Sequence, residues 1–461
     1  MNRYNAETGA FDKTLFEETD PKYVHPMHPL EFVSGHNDEF IWQRELCSKE
    51  NPDGLNSILL FNTDGKLMQT LTPIITITDK LSAQEKIDLA PYQGENVTDV
   101  YGFDPTGTIL YFQAAPIGTC DKSVYAAVIV AGKNVMKKLS DSPGTHAAIF
   151  SDDKKYFIDT YSSVDVPCIP SICDNSGKQI KILLTAKNPL IAVDPTSSES
   201  KLVTIQSCTV KLFQITAADN ETKLWCRMIL PPGFDSTKKY KSMTYVYNGP
   251  NVQLVTNSWI GGADLFSYYM AQKGFIVFTV DGRGSDNRGM KFEQATFQHL
   301  GTQEIADQEK GNQYLRALKF IDANHMAIFG WSFGGFMTTS MMTRKAGLYN
   351  CGVAGGPVID WSYYEVMYTE RYMDTPQTNP AGYKEACLTN YVGNLKGKLL
   401  QIHGTSDNVV VWQHSLLFQK ACVDKNVQCD YYVYPGHLHN VIGKDRVNLY
   451  DKISAYIIAN T

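Results

Sequence analysis

The 461-residue sequence predicts two parts: an all-β half over residues 1–190, then a doubly wound, mostly parallel α/β half over residues 191–461. A single hydrophobic core stops growing near roughly 250–300 residues, so a chain of this length is expected to divide. Up to about residue 190, short apolar runs are broken by turn residues, and no helical period outlasts a turn or two. Beyond it, apolar strands alternate with amphipathic helical stretches, the pattern of a parallel sheet covered on both faces.

In the first half, Gly102-Phe103-Asp104-Pro105-Thr106-Gly107 precedes the apolar run 109–112, and Ile149-Phe150-Ser151-Asp152-Asp153 precedes 156–158. Their separation is about that of successive four-stranded propeller blades, and Asn62-Thr63-Asp64-Gly65-Lys66 adds a third hairpin turn of the same chemistry. A β-propeller is therefore expected, with ordinary sandwich hairpins as the competing reading. In the second half, strands are expected at 243–247, 275–280, 326–330, 351–354, 399–403 and 431–434. Helices are expected at 302–321 and at 447–458, where Leu449, Ile453 and Ile457 share one face. Ligands of such sheets bind beyond the carboxyl ends of the strands, so the residues that follow these ends are the candidates for chemistry.

Composition narrows the function classes. With 43% hydrophobic and 20% charged residues the chain reads as globular, and a net charge of −6 without a basic face argues against nucleic acid as a partner. The ten cysteines include no metal-type C-x-x-C pair; only Cys168 with Cys173 and Cys422 with Cys429 lie close in sequence. Residues 1–30 carry no export signal, and no apolar run approaches the ~20 residues of a membrane span.

The expected strand 326–330 runs into Gly330-Trp331-Ser332-Phe333-Gly334-Gly335 and then into a helix-compatible stretch. Strand, G-x-S-x-G and helix is the nucleophile elbow of an α/β-hydrolase: a strained turn, crowded by neighbouring backbone, that lifts the serine hydroxyl out at a helix start. A serine nucleophile needs a base to take its proton and a carboxylate to orient that base, in the order Ser, acid, His for this fold. Asp407 follows the strand 399–403, and His437 and His439 follow the last strand. Spacing leaves both histidines open.

Gly330–Gly335, His403-Gly404-Thr405-Ser406-Asp407 and the Tyr434-Pro435-x-x-x-His439 element resemble the dipeptidyl peptidase IV branch of the prolyl oligopeptidase family. Residues 355–361, 409–415 and 439–447 resemble the prolyl tripeptidyl peptidases of that branch in particular. The resemblance implies a serine exopeptidase that cleaves after proline near a free peptide N-terminus, releasing X-X-Pro or X-Pro, without metal or organic cofactor. It selects His439 as the base beside Ser332 and Asp407, and it matches Tyr247 and the Phe333 N–H to the oxyanion hole. Val358, Trp361, Tyr364, Tyr368, Val410 and the Phe333 ring match the proline pocket, a role that aromatic faces suit. Glu365 matches a glutamate near the substrate's amino group, expected as a buried carboxylate facing an ammonium.

Val409 stands where dipeptidyl peptidase IV has a substrate-binding asparagine, which together with the Glu365 segment favours tripeptide release. Family members carry seven or eight blades ahead of the hydrolase, so the chain is expected to hold only the last blades, with open sheet edges. They are commonly exported and dimeric or larger, so a homo-oligomer is implied. The rival readings are a carboxylesterase on the same scaffold, which the aromatic segment disfavours, and a catalytically silent propeller-type binding protein.

Overall fold

A hairpin closes when a short side chain substitutes for missing backbone partners and a glycine takes a positive φ. Three turns in the first part of the chain do this in the same way. Asn62 Oδ1 accepts from the N–H of Asp64 and Lys66 at 3.1 and 2.8 Å, Asp104 Oδ1 from Thr108 and Ile109 at 2.7 Å each, and Asp174 Oδ1 from Ser176 and Lys178 at 2.9 and 3.1 Å. Gly65, Gly107 and Gly177 follow with φ of 85°, 69° and 87°.

The structure is a computed structural model that describes residues 1–25, 28–49, 51–72, 94–130, 133–190 and 207–461. The turns organise three four-stranded antiparallel meanders. The first is Glu31–Val33, His36–Arg44, Ser57–Asn62 and Leu67–Thr70; the second Glu95–Phe103, Ile109–Pro116, Ser123–Val130 and Lys133–Lys138; the third Thr145–Phe150, Tyr156–Ser163, Val166–Asp174 and Gln179–Ile182. The two echoing turns of the sequence thus occupy the same place, between first and second strands, in successive meanders. A short hairpin, Asn2–Tyr4 with Phe11–Thr14, precedes them.

Period-two alternation sends neighbouring side chains to opposite faces. Leu110 and Phe112 join Ile41, Ile58 and Leu60 in one core, while Tyr111 between them joins Ala148, Phe157 and Cys173 in another. The middle meander is therefore packed on both faces, as a propeller blade is.

The second part holds an eight-stranded sheet: β1 (Thr209–Thr216), β2 (Lys223–Leu230), β3 (Tyr240–Tyr245), β4 (Ile276–Val280), β5 (Ile321–Trp331), β6 (Cys351–Gly355), β7 (Lys398–Gly404) and β8 (Asp430–Tyr434). Its order is β1-β2-β4-β3-β5-β6-β7-β8. β2 pairs antiparallel with both β1 and β4, and every other neighbour is parallel. β4 and β6 are buried at every position, as strands covered on both faces are. The helices that matter to the site are α1 (Leu265–Gln272), α2 (Gln303–Ala317), α3 (Phe333–Arg344), α4 (Val366–Met373), α5 (Gln413–Asp424) and α6 (Asp445–Asn460). On α6, Leu449, Ile453 and Ile457 are all buried.

Two differences from the sequence reading have local causes. The helix expected to reach 321 ends at Ala317, because Leu318 turns extended (ψ 127°) and Ile321 opens β5 with no glycine or proline to announce the change. The strand expected to reach Tyr247 stops at Tyr245, and Asn248 follows Tyr247 with φ 61°.

By contacts the chain divides into two compact units. One comprises Met1–Lys187 with the loops Thr256–Trp259 and Asn287–Phe292, and the other comprises Asn188–Val255, Ile260–Asp286 and Glu293–Thr461. Among the described residues no helix is long and apolar enough to cross a membrane.

Candidate active site

β5 delivers its chain directly into α3, and the one residue between them is Ser332, at φ 62° and ψ −120°. A side chain at positive φ is strained, and here the surroundings impose it. Built onto Gly334, a Cβ would lie 2.2 Å from the Val246 carbonyl oxygen; on Gly330 it would lie 2.4 Å from that same oxygen, and on Gly335 2.6 Å from Gly355 O. None of these three glycines needs a positive φ. They are required because the backbone just past β3 and the end of β6 pass too close for any side chain. Ser332 N–H donates to Gly355 O at 2.8 Å and fixes the elbow to the end of β6.

Asp407 lies just beyond β7, its side chain 1% exposed. Oδ1 accepts from the N–H of Val409 and of Val410, both at 2.9 Å, and Oδ2 lies 2.7 Å from His439 Nδ1. Burial alone would raise this carboxyl's pKa, but hydrogen bonds from His403, His439 and the Val409 N–H hold it well below the usual carboxylate range. It is therefore a charged acceptor that keeps a hydrogen on His439 Nδ1 and leaves Nε2 as the basic nitrogen. Of the two histidines that spacing left open, His439 reaches Asp407, while His437 Nε2 lies 3.1 Å from Asp445 Oδ2.

The elbow and the acid–histidine pair meet through two contacts. Trp331 Nε1 donates to the His439 carbonyl oxygen at 3.0 Å, so the neighbour of the serine holds the backbone of the histidine. Gly356, next to the carbonyl that anchors Ser332, would place a Cβ 3.1 Å from His439 Cε1 and 3.5 Å from Asp407 Oδ2. Gly355 in turn lies against the Trp331 indole, where a Cβ would come within 1.9 Å of Cε3. Neither the Trp331 strut nor the His403 contact was read from the sequence. Trp331 and the His439 carbonyl lie in different motifs, and although His403 and Asp407 share one motif at i and i+4, that spacing alone does not show their side chains meeting.

Tyr247 is largely buried, which raises its phenol pKa while a hydrogen bond to Ser332 lowers it. Phe333 opens α3, so its N–H has no intrahelical acceptor and points from a helix start beside the serine. A phenolic hydroxyl and a backbone N–H beside one nucleophile are the donors that a developing oxyanion needs.

Against this side of the site stands an aromatic cluster. The Trp361 ring lies 5.6 Å from Phe333, 5.5 Å from Tyr364 in a T-shaped contact, and 6.0 Å from Tyr368, stacked at 10°. Trp361, Val358, Val410 and Phe333 are buried, while Tyr364 and Tyr368 are partly open. Glu365 departs from expectation: it is exposed, and its Oε2 caps α4 by accepting the Met367 N–H at 3.0 Å. Its position at a helix N-terminus, where a carboxylate satisfies orphan donors, explains why it faces outward.

Comparison with known proteins agrees with this architecture. Residues 264–461 match the prolyl oligopeptidase family, and residues 1–168 match the dipeptidyl peptidase IV N-terminal region. The chain is 34% identical over 357 residues to Probable dipeptidyl-aminopeptidase B of Aspergillus oryzae, covering 76% of this chain and 38% of that protein. It is 33% identical over 316 residues to dipeptidyl peptidase 4 of Felis catus, covering 68% of this chain and 40% of that one. Two crystal structures superpose over 100% of the chain. A Bacteroides ovatus protein assigned as a dipeptidyl aminopeptidase IV gives a TM-score of 0.87 at 38% identity, with 62% of it covered. Porphyromonas gingivalis dipeptidyl peptidase 4 gives 0.83 at 27% identity, with 60% of it covered. The chain thus spans about two fifths of the curated relatives' length.

The C-terminal sheet with its helices has the α/β-hydrolase fold, preceded by an all-β domain. These matches support the dipeptidyl peptidase IV branch of the prolyl oligopeptidase family as the place of this chain.

Proposed function

We propose that the chain is a serine exopeptidase that hydrolyses the bond after proline near a free peptide N-terminus, with Ser332 as nucleophile, His439 as base and Asp407 as the acid that orients it. The observation that carries this is the 2.7 Å contact of His439 Nδ1 with a charged, buried Asp407, tied by the Trp331 indole to a serine held on a strained elbow. His439 Nε2 takes the Ser332 proton as Oγ attacks the carbonyl carbon of the proline residue. The oxyanion is held by the Tyr247 hydroxyl and the Phe333 N–H. The C–N bond breaks as His439 protonates the departing amine, and water attacks the acyl-enzyme with His439 again as base.

The proline ring is assigned to the cluster of Trp361, Tyr364, Tyr368 and Phe333, with the buried Val358 and Val410 completing the pocket by resemblance to the family. Dipeptide release is supported by the names of the relatives. A second reading, tripeptide release, is favoured by Val409, which is 42% exposed beside Asp407 at a position where an asparagine would bind substrate in the dipeptidyl enzymes. In either reading Glu365, exposed on α4, would meet the substrate ammonium from solvent rather than from a buried site.

Chromophore release from Ala-Pro and Ala-Ala-Pro amides, each with free and acetylated N-termini, tests the proposal with Ser332→Ala as control. Hydrolysis of a free substrate and not of its acetylated form is expected, and the better of the two lengths decides between the readings. Ester hydrolysis with no amide hydrolysis would overturn the peptidase assignment in favour of a carboxylesterase.

A further inference from the structure

The chemistry proposed above asks Asp407 to hold one histidine, yet it faces two. Its Oδ2, 2.7 Å from His439 Nδ1, also lies 3.2 Å from Nε2 of His403, the residue before the last of β7, whose side chain is fully buried. That same Nε2 is 2.8 Å from the Val410 carbonyl oxygen. A carbonyl oxygen only accepts, so Nε2 carries a hydrogen, which is shared between the carbonyl and the carboxylate. The other ring nitrogen, Nδ1, lies 2.7 Å from Ser415 Oγ, buried on α5. In the neutral ring Nδ1 accepts the serine hydroxyl. Tyr431 on β8 is bonded to Ser415 in turn and accepts the Trp412 indole N–H at 2.5 Å. A chain of polar groups therefore runs from β8 and α5 to the acid of the site.

An imidazole buried this completely is retained at a cost unless both nitrogens are paired, and apolar packing alone would not need it. Asp407 is already fixed through Oδ1 by two backbone N–H groups. The second histidine sits instead on the oxygen that His439 uses, where its donor competes for the same negative charge.

We infer that His403 is a positioning residue for the reaction: its Nε2–H, aimed by Ser415, shares the Asp407 carboxylate with His439 and so limits how strongly that carboxylate draws a proton onto the catalytic imidazole. The inference rests on the assignment of Asp407 and His439 made above. Removing the donor concentrates the charge on His439, favours its imidazolium and moves its titration to higher pH. Among the described residues, the charge of Asp407 bears on Tyr364 and His414, His403 and Asp360 bear on His414 as well, and Tyr431 stands behind Ser415. Burial raises the Tyr364 phenol to about 12, and burial with the neighbouring His403 pushes His414 down to about 4, so neither changes charge through the neutral range.

The test is a pH titration of the full chain labelled with 13C at histidine Cε1, with the His439 signal assigned by its loss in His439→Asn. His403→Phe removes the donor, Ser415→Ala removes its aim, and His403→Gln restores an N–H. The His439 midpoint is expected to rise by about half a pH unit or more in His403→Phe, less in Ser415→Ala, and to return towards wild type in His403→Gln. With the Ala-Pro and Ala-Ala-Pro amides, the acid limb of kcat/KM moves up by the same interval, and kcat falls by about tenfold while KM holds. An unchanged His439 midpoint in folded His403→Phe overturns the inference. If that variant does not fold, the Ser415→Ala midpoint decides by the same criterion. A shifted midpoint in a protein whose wild type hydrolyses neither amide would sink the peptidase reading and leave this one standing.

Discussion

Glycine does different work in the two compact units. In the meanders, Gly65, Gly107 and Gly177 are demanded by the backbone itself, each at positive φ in a turn whose capping oxygen comes from a residue three positions earlier. Around the elbow, Gly330, Gly334 and Gly335 are demanded by strands far away in sequence, whose carbonyl oxygens would lie within 2.6 Å of any Cβ. The first requirement can be read from a tetrapeptide, even though a Cβ on these three turn glycines would also meet the distant carbonyl oxygens of Leu15, Ser34 and Leu139 at 2.2–2.5 Å. The second becomes visible only once β3, β5 and β6 lie side by side.

This contrast can be broken experimentally, and the largest effect is expected at the elbow. Ser332→Ala should lower kcat by about 10^6-fold, the scale seen when a serine nucleophile is removed, with unchanged circular dichroism. Gly334→Ala should abolish hydrolysis as well, because its Cβ meets backbone that cannot swing away; near-wild-type turnover would show that the elbow has room the structure denies. Tyr247→Phe keeps the ring and removes one oxyanion donor, so kcat is expected to fall about 10^2 to 10^3-fold with KM little changed.

Glu304 on α2 sharpens the comparison through pH. It is fully buried and accepts the Gly301 N–H at 3.0 Å, and burial, the largest cause, raises its pKa to about 8. The folded protein therefore holds a proton that the unfolded chain releases, and stability falls as pH rises from the unfolded value of 4.5 through about 8. Glu304→Gln should flatten that fall, whose slope is at most about 1.4 kcal/mol per pH unit, in urea melts at pH 5 to 8. Glu95 in the second meander, raised by burial to about 7, should give the same effect over a narrower window. The smallest changes belong to the turns. Gly107→Ala, where φ is 69° and a Cβ would lie 2.2 Å from Ser34 O, is expected to cost about 1–3 kcal/mol, and Asp104→Ala about 1 kcal/mol, with kcat per folded molecule unchanged.

The same distinction explains what the sequence could disclose. The six parallel strands were legible as short apolar or aromatic runs between helical stretches, with β4 and β6 buried at every position, and the elbow because strand, serine and helix are contiguous. β1 and β2 were not legible: β1 alternates Lys211 and Gln214 with Leu212 and Phe213 on a half-open edge, and its partner strand folds back against it antiparallel. Spacing did not choose between His439 and His437 as the partner of Asp407, because both occupy one loop; the family resemblance selected His439, which lies 2.7 Å from Asp407 Oδ2. The outward face of Glu365 needed the fold, since a carboxylate that caps a helix and one that awaits a ligand have the same neighbours in sequence.

The end of β6 leaves the site with little tolerance for change. Gly355 and Gly356 give the Trp331 indole and the His439 imidazole their places by contributing no side-chain volume, in two adjacent codons. A saturation library across the site is expected to find these two positions closed. A lineage that had lost activity by gaining a side chain there could not recover it by substitutions elsewhere in the pocket, because what it would lack is empty space, which no neighbouring residue can supply.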